Sequence, residues 1–256
     1  MSVIFNPAPI AAKFGIPVAD LGMERIEYEL EGVSYENVLL FDKKLTAPMA
    51  GVIAVPNFFG ISQNALEIAA ATIGAKQALL VADVFGKTAR PTNPDEAVAA
   101  ITPLLSDRAQ LRKRMQAVQE VFKRQTKVKL TDKLAACGFC FGGTAALELA
   151  RSGASLNAFA SLHGTLDSPT PADAQNIKGA VLVLSGAQDP LVPLEQVNAF
   201  IAEMSATNAD WQLINYGEAG HSFTDPYSNN PGFFYHERTA KRAAIALQSF
   251  FVEKLS

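Results

Sequence analysis

A short apolar run, Leu134-Ala135-Ala136-Cys137, passes without a linker into Gly138-Phe139-Cys140-Phe141-Gly142-Gly143 and then into a helix-like segment, residues 144–151. With serine in place of Cys140 this is G-x-S-x-G, the sharp strand-to-helix turn that lifts one side chain above a parallel sheet. The flanking glycines have a steric reason. A residue held in a strained turn needs neighbours without a Cβ that would clash across it. A thiol at that point also meets the N-terminus of a helix, where free N–H groups and the helix dipole favour thiolate.

The rest of the chain repeats the strand–helix alternation. Residues 24–30 and 35–41, separated by Gly32, predict an antiparallel hairpin at the sheet edge. Strand-like apolar runs follow at 51–55, 78–82, 134–137, 158–162, 180–184 and 211–216. Helical stretches are expected at 63–73, from about 95, from about 107, at 192–204 and at 235–251. The implied fold is α/β: a mostly parallel central sheet, helices on both faces and an N-terminal antiparallel hairpin. Residues 1–24, with Pro7, Pro9 and Pro17, read as an irregular lead-in, and 25–256 as one domain.

In such a sheet the carboxyl ends of the strands share one edge, so residues distant in sequence can meet there. A cysteine nucleophile needs a base, and the base needs a group to orient it. The chain has three histidines, and His221, in Gly217-Glu218-Ala219-Gly220-His221-Ser222-Phe223, lies in a small-residue loop after a strand. Asp189, in Gly186-Ala187-Gln188-Asp189-Pro190, follows the strand at 180–184 and is the acid candidate, although it also suits an Asx turn or a helix cap. The order Cys140, Asp189, His221 is that of the α/β hydrolases. His163 ends another strand and is expected either to line the pocket or to support a site residue from behind, whereas Cys137 reads as core and His236 as a solvated or packing residue.

Stabilising a developing oxyanion takes backbone N–H donors, one after the nucleophile and one from the loop after an early strand. These are expected from Phe141 and from Phe58, in Val55-Pro56-Asn57-Phe58-Phe59-Gly60. Phe58, Phe59, Phe85, Phe141 and Phe223 all fall on loops at the same edge and are expected to wall an apolar pocket.

Composition narrows the alternatives. A net charge of −3 gives no electrostatic ground for nucleic acid or an anionic membrane as partner. The basic stretch 108–133 keeps Leu111, Met115, Val118 and Phe122 at helical spacing, so its cations belong to a wet helix face. Two cysteines form no disulfide framework, and three scattered histidines offer no metal-ligand spacing. Without a signal-like or membrane-length apolar run, a reducing cytoplasmic setting is expected.

G-F-C-F-G-G, G-A-Q-D-P-L-V-P, G-H-S-F and the A-D-V-F-G stretch at 82–86 together resemble the dienelactone hydrolase family of α/β hydrolases, from about Arg25 to the C-terminal helix. The resemblance implies hydrolysis of lactones or small esters through a thioester, no cofactor, and Cys140, Asp189 and His221 as the catalytic residues. Well-known members carry a glutamate at the position of Asn57, which helps to deprotonate the cysteine; an amide takes no proton. They also grip a substrate carboxylate with arginines, one just after H-S-F, where Thr224 and Asp225 stand here. Arg90 is a substitute cation or a surface residue. A neutral ester, lactone or thioester is therefore expected, with a non-catalytic binding protein or a redox sensor at Cys140 as rival readings.

Overall fold

The computed structural model describes residues 4–256. Its centre is an eight-stranded sheet of β1 (Leu21–Leu30), β2 (Val33–Asp42), β3 (Met49–Val55), β4 (Ala78–Val81), β5 (Leu130–Phe139), β6 (Ala158–Leu162), β7 (Ala180–Gly186) and β8 (Trp211–Tyr216). The spatial order is β1-β2-β4-β3-β5-β6-β7-β8. β1 and β2 pair antiparallel and β2 meets β4 antiparallel, while every later pairing is parallel. This is the mostly parallel sheet with an antiparallel N-terminal hairpin that the sequence predicts.

Both faces are covered because every central strand is apolar on both sides. Val52 and Ala54 of β3 pack with Ile10, Leu66 and Leu247, from α1 (Pro7–Phe14), α2 (Gln63–Ile73) and α7 (Glu237–Leu255). Their neighbours Ile53 and Val55 face the other way, onto Leu111, Met115, Ala145 and Leu149. Those residues belong to α4 (Arg108–Arg124), which follows α3 (Pro94–Ser106), and to α5 (Phe141–Arg151). Val181 and Val183 of β7 meet α6 (Leu194–Ser205) on that same side. The two-residue period of a strand thus sorts a continuous apolar run into two cores.

Within the lead-in expected over residues 1–24, the described part, residues 4–24, is ordered rather than irregular. Residues 1–3 lie outside the described part, but Asn6 caps α1 by accepting from the Ala8 amide, and Gly15 closes it at φ 84°. Ile10, Ala11 and Phe14 are buried. Pro7 stands at the first helical position, where its missing N–H costs nothing and its fixed φ suits the helix, so it starts this element rather than prevents it, and Pro17 lies beyond the helix end. β1 then begins at Leu21, across the expected boundary.

Candidate active site

Cys140 closes β5 and opens α5 at φ 54° and ψ −120°, backbone that L-residues rarely adopt. The glycines around it leave space that a side chain would fill. A Cβ on Gly138 would lie 2.0 Å from the Gly142 carbonyl oxygen, and one on Gly142 would lie 2.0 Å from that of Val55. The turn is therefore pressed against the loop after β3. Cys140 is partly exposed, while Cys137, three residues earlier, is fully buried and burial pushes its thiol far up. Only the former can meet a substrate.

Asp189 and His221 are both buried and joined by a 2.8 Å hydrogen bond between Oδ2 and Nδ1. The other carboxylate oxygen, Oδ1, accepts from the Leu191 amide at 2.8 Å. The Asx turn and the imidazole contact, alternatives at the sequence level, are thus both made by one side chain. His221 Nε2 has no closed hydrogen bond, but the Cys140 thiol lies within interaction range of the ring. Burial pulls the His221 pKa down; the hydrogen bond to Asp189, the contact with Cys140 and their charges outweigh it and push it up to about 10. An imidazole so placed is charged at neutral pH and aims its free nitrogen toward a thiol. Such hydrogen bonds are commonly loose before substrate binds.

The loop after β3 holds itself open at one amide. Asn57 accepts from the Phe59 amide through Oδ1 at 3.1 Å and from the Gly60 amide through its carbonyl at 2.9 Å. Among the described residues, neither the Phe58 amide nor that of Phe141, the first residue of α5, has an acceptor. Both lie where the loop and the elbow touch. Asn57 thus shapes this loop through its side-chain and backbone oxygens.

The expected aromatic wall is corrected at Phe85, Phe141 and Phe223, of which Phe141 is 4% exposed, and packing also decides the settings of His163 and Arg90. Phe223 and His163 are 0% and 2% exposed, and Phe85 is packed behind Gly60 and against Phe141. None of the three fronts an open pocket. Arg90 is neither a free cation nor a solvated one: it pairs with buried Asp83 at 3.0 Å and donates to the Gly86 carbonyl, pinning the loop after β4. Phe58 and Phe59 remain partly exposed, their rings 4.4 Å apart.

Phe233 is a site residue that the sequence reading missed. A small hairpin, β9 (Asn229–Asn230) and β10 (Phe233–Phe234), runs beside His221. His221 donates its amide to the Gly232 carbonyl at 2.7 Å and accepts from the Phe234 amide at 3.0 Å. The Phe233 ring stands edge-on to the imidazole at 5.3 Å. Asn230-Pro231-Gly232 is a turn signal that could have located this hairpin. Thr224 was also missed as a partner: its hydroxyl lies 2.7 Å from His163 Nε2.

A surface cavity of about 570 Å³ is lined by Leu45, Met49, Gln77, Phe251 and Leu255, at the amino ends of the strands and away from Cys140. Among the described residues no helix is long and apolar enough to cross a membrane, and no group of three or more His, Cys, Asp or Glu could hold a metal ion.

Known proteins resemble this chain in sequence and in fold. The model of the dienelactone hydrolase family matches residues 37–255. The solved structure of m3DLH is 37% identical, superposes with a TM-score of 0.86, and is matched over 93% of this chain and all of that one. P91, a dienelactone hydrolase-like promiscuous phosphotriesterase from metagenomic libraries, is 34% identical with a TM-score of 0.85 over the same shares. A Salmonella typhimurium protein assigned as a carboxymethylenebutenolidase is 35% identical over 129 residues, 47% of this chain and 46% of that one. This match spans less than half of that relative's length.

Proposed function

The chain belongs to the dienelactone hydrolase family, and on that premise we propose that it is a cysteine-dependent hydrolase of small neutral esters or lactones. The observation that carries the reading is the alignment of Asp189, His221 and Cys140, with His221 Nδ1 taken by the carboxylate and Nε2 free beside the thiol. Asp189 fixes the tautomer and orientation of the ring and steadies its positive charge.

In the proposed cycle the Cys140 thiolate attacks the acyl carbon and the carbonyl electrons move onto oxygen. In this reading the Phe58 and Phe141 amides receive that oxyanion, supported by their having no other acceptor among the described residues. Collapse expels the alkoxide, which takes the proton from His221 Nε2, and leaves a thioester on Cys140. A water molecule then attacks the thioester as neutral His221 removes its proton. The thiolate departs, the carboxylic acid is released, and the imidazolium–thiolate pair is restored. Amides are poor substrates by the same logic, because a thiolate leaves the tetrahedral intermediate more readily than an amine does.

A neutral acyl group fits the charges near the site. Arg90 is occupied by Asp83, and Asp225, tied to the Asn64 side chain at 3.1 Å, adds negative charge to the loop that bears His221. Neutral and anionic esters and lactones, with a phosphotriester included because P91 cleaves that class, should be assayed on wild type and Cys140→Ala. The expected result is turnover of neutral carboxylic esters or lactones by wild type and its loss in the variant. Full activity of Cys140→Ala would remove the nucleophile assignment. A thiol inert to iodoacetamide in folded protein, with no turnover, would favour a binding protein instead. Reversible oxidation of Cys140 without turnover would favour a redox sensor.

A further inference from the structure

The geometry points to His163 as a positioning residue, a neutral imidazole that ties the Cys140 elbow to the loop carrying His221 and so fixes the spacing between thiol and ring. This role presupposes that Cys140 is the nucleophile and His221 its base.

His163 Nδ1 accepts from the Cys140 amide at 3.1 Å, while Nε2 lies 2.7 Å from Thr224 Oγ1. A backbone amide can only donate, so Nδ1 carries no proton. The proton of the neutral ring is therefore on Nε2, which donates to the Thr224 hydroxyl. The Cys140 amide already donates to the Leu162 carbonyl at 3.0 Å. His163 is thus not needed to satisfy that N–H; as a second acceptor it adds direction. Its ring also stands edge-on to His221 at 5.4 Å and to Phe223 at 4.9 Å.

One side chain consequently touches the backbone of residue 140, the ring of residue 221 and a hydroxyl three positions beyond it. β5, which carries the elbow, and β8, which leads into the His221 loop, are separated in the sheet by β6 and β7. No sheet hydrogen bond joins them directly. His163, at the end of β6, stands between them and donates its own amide to the Leu184 carbonyl of β7 at 2.8 Å. Its backbone is at φ 41°, unfavourable for a residue other than glycine. Backbone held in such a region persists only where its surroundings over-determine it. Here those surroundings are the contacts to the elbow and the base.

The test compares wild type, Thr224→Val, Thr224→Ser, His163→Asn and Cys140→Ala. It measures turnover of a neutral aryl acetate and, for the variants retaining the thiol, alkylation of Cys140 by iodoacetamide. Asparagine tolerates positive φ, so His163→Asn should fold while losing the reach to Thr224. Thr224→Val and His163→Asn are each expected to lower kcat about tenfold with KM nearly unchanged, as a small misplacement of reacting groups does. Alkylation should slow in parallel, and Thr224→Ser should restore both. Wild-type kcat and alkylation in Thr224→Val, or a Thr224→Ser as slow as the valine variant, would overturn the positioning role. Activity surviving in Cys140→Ala would instead remove the nucleophile on which the role rests, so the two failures are distinguishable.

Discussion

At the scale of single residues, the two histidines at the site have opposite protonation preferences, set by what each ring nitrogen meets. Burial, and then the neighbouring His221, hold His163 well below the usual histidine range. His221 is buried too, but Asp189 and Cys140 push it up to about 10. The stability consequences have opposite signs. For His221, raised above its unfolded value, the contribution is fully present below pH about 6.5 and is lost as pH rises through about 10. For His163, depressed, the contribution is present above pH about 6.5 and is lost as pH falls below it. Urea midpoints across pH on wild type and His163→Asn should show a steeper acid loss in wild type. In turnover, the imidazolium needed to protonate the leaving group should be lost near pH 10, giving an alkaline limb there. Asp189→Asn should move that limb toward neutrality and lower kcat on the order of 10³- to 10⁴-fold, measured as a pH–rate profile, since the ring loses its orienting carboxylate.

The elements matter through how closely they approach. α5 starts where β5 stops, and its first turn rests on the carbonyls of the loop after β3. Gly142→Ala would set a methyl group 2.0 Å from the Val55 carbonyl oxygen, backbone that cannot rotate away. The loop would have to shift, taking the Phe58 amide with it. Expected are a destabilisation of about 1–3 kcal/mol by urea denaturation, typical of overpacking, and a fall in kcat greater than that stability change explains. The N-terminal helix shows the same dependence on packing. Phe14 is buried among α1's contacts, and Phe14→Ala should cost about 3–5 kcal/mol in a urea titration. An irregular lead-in would lose almost nothing.

Across the whole molecule, a buried ionic cluster joins elements on the face that holds α4, α5 and α6. Arg151 of α5 donates to Glu203 of α6 through Nε and Nη2, both at 2.8 Å, and to Glu148 at 3.0 Å. Glu148 also accepts from Arg112 of α4 at 2.7 Å, and Arg112 reaches Asp173. Arg151 and Glu148 are 1% and 0% exposed. Such a cluster is weak evidence for net stability, but removing one member strands the others. Arg151→Met would leave buried Glu203 without its cation and Glu148 with Arg112 alone, at a cost of about 3–5 kcal/mol by urea unfolding. Because the cluster lies behind the elbow helix rather than at its mouth, kcat of the remaining folded protein should change little.

Local chemistry made the frame legible from the chain alone. Apolar runs of strand length between amphipathic stretches fix a covered parallel sheet, and residues 158–162 and 211–216 were located to the residue. The glycines around Cys140, the turn residues after β7 and the small residues around His221 mark loops at strand ends, so the three groups could be paired by order and placement. What faces what was decided by packing. A phenylalanine on a loop reads the same whether its ring lines a cleft or fills the core, and Phe223 fills the core. An arginine after a strand reads as free until its partner is seen, and Arg90 has Asp83. The path from Cys140 through His163 to Thr224 crosses three segments with no periodic relation. Side-chain period reports which face of its own element a residue occupies; it carries no record of the neighbour that the fold brings against that face.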